Sequence, residues 1–123
     1  MMTYYSQQIQ RLQEELYPRE NLTRRIIRAK QFIDHHYEKQ IDLEAISGKA
    51  YVSKYHFIRL FKRYYGLTPH QYLTRVRIAK AKELLRDGMT VQRVCFAVGY
   101  DSITSFSALF KRMTGTTPSR VKI

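Results

Sequence analysis

Tyr55, Arg59 and Lys62 are spaced four and three residues apart, so on a helix a phenol, a guanidinium and an ammonium share one side. An arginine placed there can donate two parallel hydrogen bonds to the edge of a guanine, and a tyrosine offers a hydroxyl and an apolar ring. Ile58, on the flank, has the shape to meet a thymine methyl. Lys54, Lys62 and Arg63 are cations of the kind that grip phosphate, which positions a protein on a duplex without specifying sequence. Forty-nine residues later the corresponding outer positions hold Thr104, Ala108 and Lys111, with Ile103, Ser105 and Ser107 beside them and Arg112 next in line. None of the small side chains can fork onto a purine. This second set fits van der Waals contact and shape readout, with phosphate gripped by Lys111 and Arg112.

Other chemistries find less material. There is no phosphate-cradling glycine loop, no Gly-x-Ser-x-Gly and no convincing acid pair, so the chain does not read as an enzyme. His35 and His36 are adjacent and cannot both face one metal, while His56 and His70 have no carboxylate or cysteine at ligand spacing. Neither a metal nor a cofactor is expected. The single cysteine, Cys95, rules out a disulfide framework and fits a reducing compartment. It falls where a small apolar residue would pack between helices, so it reads as a buried thiol. Tyr51 and Tyr100 close their respective turns and read as core.

Charge agrees with the outer faces. Lys and Arg number 22 against 10 Asp and Glu, for a net charge of +12 and a pI near 10.0. No acid occurs between Glu44 and Glu83, a window that holds Lys49, Lys54, Arg59, Lys62, Arg63, Arg75, Arg77, Lys80 and Lys82. A field of this sign and density suits a polyphosphate. No apolar run is long enough to span a membrane, and no signal-peptide pattern opens the sequence. A cytoplasmic, nucleoid-associated location is the simplest expectation, with no membrane partner.

The elements that must position these residues are helices. The apolar share is 44% of 123 residues, enough for a modest core in one compact unit or in two small subdomains sharing a connector. Residues 1–21 form a Gln-rich arm in which Ile9, Leu12 and Leu16 predict a short helix ended by Pro18, packed against the domain or serving as a linker or dimer contact. Leu22 to Glu38 reads as a helix with Ile26, Ala29, Ile33 and Tyr37 on one face and Leu22 and Ile27 beside it. Asp42 caps a short helix ending near Gly48. In the next helix Phe57, Leu60, Phe61 and Tyr64 make the apolar stripe opposite Arg59, with Ser53 as N-cap and Gly66 at C′. Thr68-Pro69-His70-Gln71 starts a longer helix that Asp87-Gly88 stops. Its ~18 residues predict a rod of roughly 27 Å. Thr90 then caps a short helix, Gly99 to Ser102 turns the chain, and Ile103 to Thr114 forms a last amphipathic helix ended by Gly115.

That order is a duplication. Phe57-x-x-Leu60-Phe61-Lys62-Arg63 returns as Phe106-x-x-Leu109-Phe110-Lys111-Arg112, and Gly66-x-Thr68-Pro69 as Gly115-x-Thr117-Pro118, all at an offset of 49. Upstream the offset is 48, pairing Ser47 with Cys95. The expected fold is all-α with about seven helices: a helix-turn-helix unit over 22–67, a linker helix over 68–87 and a second unit over 88–123. Two like-facing outer helices on a rod of this length could enter successive major grooves, ~34 Å apart on one side of a duplex.

These motifs resemble the DNA-binding domain of the AraC/XylS family of bacterial transcription regulators from about Leu22 to Val121. The residues carrying the resemblance are Ser53-x-x-x-Phe57-x-Arg59-Leu60-Phe61-Lys62, Gly66-x-Thr68-Pro69-x-x-Tyr72-Leu73 and Arg77-x-x-x-Ala81-x-x-Leu84-Leu85. Downstream they are Val98-Gly99-Tyr100-Asp101-Ser102, Phe106-x-x-x-Phe110-Lys111 and Gly115-x-Thr117-Pro118-Ser119. The resemblance implies seven helices in two helix-turn-helix units, binding to promoter DNA on one face, and contact with RNA polymerase, usually for activation. It places base contacts at Tyr55, Ile58, Arg59, Ile103, Thr104, Ser107 and Ala108. Some members carry long polar or Arg side chains in the second outer helix, which this sequence lacks. Nothing here corresponds to the family's separate effector domain, so no small-molecule effector site is expected within these residues. Both a stand-alone regulator and a part of a longer one remain open readings. The alternative function is a non-specific architectural DNA-binding protein.

Overall fold

The computed structural model describes residues 18–50 and 53–121, with side chains over 22–47 and 53–121. The described residues form six α-helices and a closing 3-10 turn, with no strand among them. These are α1 (Pro18–His36), α2 (Leu43–Ala50), α3 (Lys54–Tyr65), α4 (Pro69–Arg86), α5 (Val91–Ala97) and α6 (Ile103–Thr114), then the turn Pro118–Arg120. The arm helix expected before Pro18, and Tyr51, lie outside the described residues. Pro18 itself opens α1. A proline lacks the N–H that a first helical residue leaves unbonded anyway, so its ring is tolerated there.

Side-chain caps set the helix starts. Asp42 Oδ1 accepts from Ala45 N at 2.7 Å, Ser53 Oγ from His56 N at 3.3 Å, Thr90 Oγ1 from Arg93 N at 3.3 Å and Ser102 Oγ from Ser105 N at 3.2 Å. Thr68 closes a full capping box. Its Oγ1 accepts from Gln71 N at 3.2 Å, and its own N–H donates to Gln71 Oε1 at 3.0 Å. α2 runs through Gly48 to Ala50, two residues beyond the stop expected from sequence. α3 and α6 end on Gly66 and Gly115, at φ 75° and 84°, left-handed geometry in which a β-carbon is strained.

Two hydrophobic cores result. The first gathers Ile26, Ala29, Ile33, Ile46, Phe57, Phe61 and Leu73. The second gathers Ile78, Ala81, Leu85, Val94, Cys95, Val98, Phe106 and Phe110. α4 belongs to both: Leu73 serves the first core, and Ile78, Ala81 and Leu85 the second. The helix is thus a shared wall as well as a spacer, and its 18 residues extend about 27 Å.

One detail of the expected stripe on α3 is corrected. Tyr64 is 45% exposed, with its hydroxyl 3.0 Å from Thr23 Oγ1. Tyr65 packs on the core instead, its ring 4.8 Å from that of Phe61. Seven and eight residues after Phe57 both border the apolar stripe of a helix, and contact with Phe61, four residues before it, takes Tyr65 inside. Ile27 likewise lies outside the core, at 42% exposure.

Candidate nucleic-acid interface

The two outer faces stand where periodicity puts them. Phe57 and Phe61 anchor α3, Phe106 and Phe110 anchor α6, and all four are fully buried. Each pair of rings packs at a tilt, with centroids 5.7 Å and 5.9 Å apart. Burying these faces forces the opposite ones outward. On α3, Lys54, Tyr55, Arg59, Lys62 and Arg63 are exposed and Ile58 is half-buried. Tyr55 stands out at 77% exposure, an aromatic ring held in solvent with no core to serve. On α6, Ile103, Thr104, Ala108, Lys111 and Arg112 are exposed and Ser107 is half-buried.

The cations on these faces meet no counter-charge among the described residues. Among the described residues, Lys54, Arg59, Lys62, Arg63, Lys111 and Arg112 form no ion pair, whereas Lys30 pairs with Asp34 at 3.3 Å and Lys80 with Glu83 at 3.2 Å. Neither outer helix has an acid in its first turn. The backbone N–H groups and dipole at each N-terminus therefore add to a positive end. Lys62, Arg63, Lys111 and Arg112 lie in the last turns, where they also complement the helix dipole.

Arg77 is different. It belongs to the acid-free window by sequence, but it is 8% exposed and cannot reach a phosphate. Its Nε donates to Tyr37 O at 2.6 Å and its Nη2 to Lys39 O at 2.7 Å. These carbonyls follow the C-terminus of α1, where acceptors lack helical partners and a cation is favoured. By sequence it is simply one of the nine cations of that window. A signal was present: Arg77 stands four residues from both Leu73 and Ala81, on the buried stripe of α4.

A cluster on the first unit is structural. The Tyr72 hydroxyl donates to Asp34 Oδ1, and Lys30 Nζ sits 5.2 Å from the Tyr72 ring and 5.7 Å from that of Tyr65. Burial, then the bond to Asp34, pushes the Tyr72 phenol up from its ordinary value. Burial also pushes the Cys95 thiol up, and its Sγ lies 3.7 Å from Tyr100 O, as suits a packed, unreactive side chain. Among the described residues no group of three His, Cys, Asp or Glu could hold a metal, and no helix is long and apolar enough to cross a membrane. An open cleft of about 600 Å³ separates α4 from α6, lined by Leu67, Thr74, Arg75, Leu109, Arg112 and Met113 among others. Arg112 thus sits between the outer face and this cleft.

Comparison with known proteins decides the family. A model described as a helix-turn-helix domain, of the AraC type, matches residues 46–122, well over half of the chain. The chain belongs to the AraC family. It is 36% identical over 90 residues to the probable transcriptional regulator LumQ of Photobacterium leiognathi, a match covering 72% of this chain and 36% of LumQ. It is 32% identical over 104 residues to the transcriptional activator RhaS of Escherichia fergusonii, covering 84% of this chain and 37% of RhaS. The AraC-family chain described here thus spans little more than a third of either relative. Among solved structures it superposes on the DNA-binding domain of the global transcriptional factor AdpA in complex with a target DNA. That match has a TM-score of 0.74 and 27% identity, over 77% of this chain and 86% of that one.

Proposed function

We propose that this AraC-family chain binds double-stranded promoter DNA sequence-specifically and regulates transcription, as an activator, by placing α3 and α6 in successive major grooves. The observation that carries the reading is the pair of outer faces. Two helices bury corresponding phenylalanines and expose, on the opposite side, cations that form no ion pair among the described residues. Such faces have the composition and shape that fit a major groove. Kinship with AdpA, whose domain was solved on its target DNA, and with RhaS, named an activator, supports the same conclusion.

In this reading Tyr55, Ile58 and Arg59 contact bases from α3, and Ile103, Thr104, Ser107 and Ala108 from α6. Lys54, Lys62, Arg63, Lys111 and Arg112 hold phosphates. The first unit, over 22–67 with the start of its helix at Pro18, and the second, over 88–123, each supply one reading head. The linker over 68–87 fixes their separation. Activation calls for contact with RNA polymerase, and promoter binding places the protein on the nucleoid in the cytoplasm.

Selection of bound duplexes from a random pool at fixed salt tests this. The expected product is an asymmetric site of two blocks centred about 10 base pairs apart, with the sharper base preference in the block under α3. A pool that enriches no sequence would instead indicate a non-specific architectural protein.

A further inference from the structure

The two cores share only α4 as covalent support, and a single helix does not stop one unit from swivelling against the other. The loop after α1 restrains that freedom. The guanidinium of Arg77 donates to Tyr37 O and Lys39 O of the first unit, at 2.6 Å and 2.7 Å, and lies 5.1 Å from the centre of the Tyr100 ring of the second. Gln40 Nε2, from the same loop as Lys39, donates to Gly99 O at 2.8 Å. Gly99 has φ 104°, and a β-carbon built on it would stand 3.0 Å from Arg77 Cζ, Arg77 Nη2 and Tyr37 O. The loop after α1 and the turn between α5 and α6 are therefore in direct contact through Arg77, at a position where only a glycine fits. No base-facing residue takes part.

We propose that this contact is a positioning clamp. Arg77, Gln40 and Gly99 hold the two recognition helices at one separation and rotation, and so select the spacing between the two halves of the DNA site without reading any base. The proposal rests on the DNA-binding function argued above. Its physical basis is the pitch of the duplex. One inserted base pair turns the second groove by roughly 35° and moves it about 3.4 Å. A clamped pair of heads must twist or bend DNA to follow, whereas a swivelling pair can follow the groove itself.

Two measurements test the clamp. The first is independent of DNA. Spin labels are attached through His35→Cys on α1 and Gln92→Cys on α5, both exposed positions, in a Cys95→Ala background. The distance distribution is narrow with the clamp intact and becomes roughly twofold broader in Arg77→Lys, which keeps the charge but cannot fork onto two carbonyls. Gln40→Ala, which removes an exposed side chain and touches neither core, broadens it by a smaller amount. The second measurement compares binding to selected duplexes whose half-site spacing is changed by one base pair either way. The unsubstituted protein prefers the selected spacing by about tenfold or more. In Arg77→Lys the preference falls to about twofold, with base preferences inside each half unchanged. Unchanged distances in both variants, or a retained spacing preference in Arg77→Lys, overturns the clamp. Failure of the pool to yield any site counts against DNA reading instead, and the label distances still judge the clamp.

Discussion

α3 and α6 are one helix built twice and finished differently. Inside, the correspondence is close: Phe57 with Phe106, Leu60 with Leu109, Phe61 with Phe110, caps at Ser53 and Ser102, and left-handed glycines at Gly66 and Gly115. Outside, it breaks. Tyr55 faces Thr104, Ile58 faces Ser107 and Arg59 faces Ala108, while Lys62 and Lys111 still agree. The buried side of a helix is constrained by volume and rotamer, so the two copies agree there. The solvent side is constrained only by what it meets. Under the proposed function, agreement at the lysines would be a common grip on phosphate, and divergence at the positions before them a separate reading of bases by each helix.

If the interiors are equivalent, equal damage should have equal cost. Phe57→Ala and Phe106→Ala each remove a ring that is fully buried, and each is expected to cost about 3–5 kcal/mol. Urea unfolding followed by helical circular dichroism measures both. A difference of more than about 1.5 kcal/mol would show that one core collapses around the void and the other does not, and the equivalence would end at the backbone.

The exteriors should fail unequally. Arg59→Ala removes the one long forked donor among the positions proposed to face bases, with an expected loss of about 1–3 kcal/mol in discrimination at a single base pair. The joint change of Thr104, Ser105 and Ser107 to Ala is expected to lose less, since no single side chain there can make a two-pronged contact with a purine. Competition between the selected site and its single-base variants at constant salt measures both. Comparable losses would mean that α6 reads bases through contacts that side-chain length does not anticipate, such as ordered water.

What the sequence made legible follows the same inside–outside division. Caps, apolar period and glycine stops are local, and each depends on residues within a few positions, so the helices from α3 onward were predicted with their ends. The AraC resemblance rested mainly on those same buried and turn positions, joined by Arg59, Lys62 and Lys111 from the outer faces. The ends of α1 and α2 were less legible, because Pro18 can close one helix or open another and Gly48 is tolerated inside a short one. Tyr64 and Tyr65 are adjacent and identical in type, and only packing tells which faces the core. Arg77 counts by sequence only as one cation of the acid-free window, because its partners are carbonyls of Tyr37 and Lys39, some 40 residues away. Every residue has a carbonyl, so residue type carries no trace of such a bond. The outer faces are exposed as predicted, but exposure alone does not assign a base to a side chain.

The finest difference between the two copies lies just past α3 and α6. Thr68 and Thr117 occupy equivalent positions before a proline, with near-identical backbone angles of φ −69°, ψ 159° and φ −71°, ψ 154°. Three residues on, the first copy has Gln71 and the second Arg120. A glutamine oxygen can accept the N–H of the capping residue, and does so at 3.0 Å. An arginine has donors only and cannot close that box. Thr117 makes no side-chain cap bond and its Oγ1 instead lies 3.3 Å from Ser119 Oγ. The same Thr-Pro start precedes the 18 residues of α4 in one copy, with the box closed, and the 3-10 turn Pro118–Arg120 in the other, with the box open. Thr68→Ala is expected to cost about 1 kcal/mol in urea unfolding, and Thr117→Ala no more than about 0.5 kcal/mol. Equal costs would locate the stability of α4 in its packing against the two cores and leave the capping box without a role in where that helix begins.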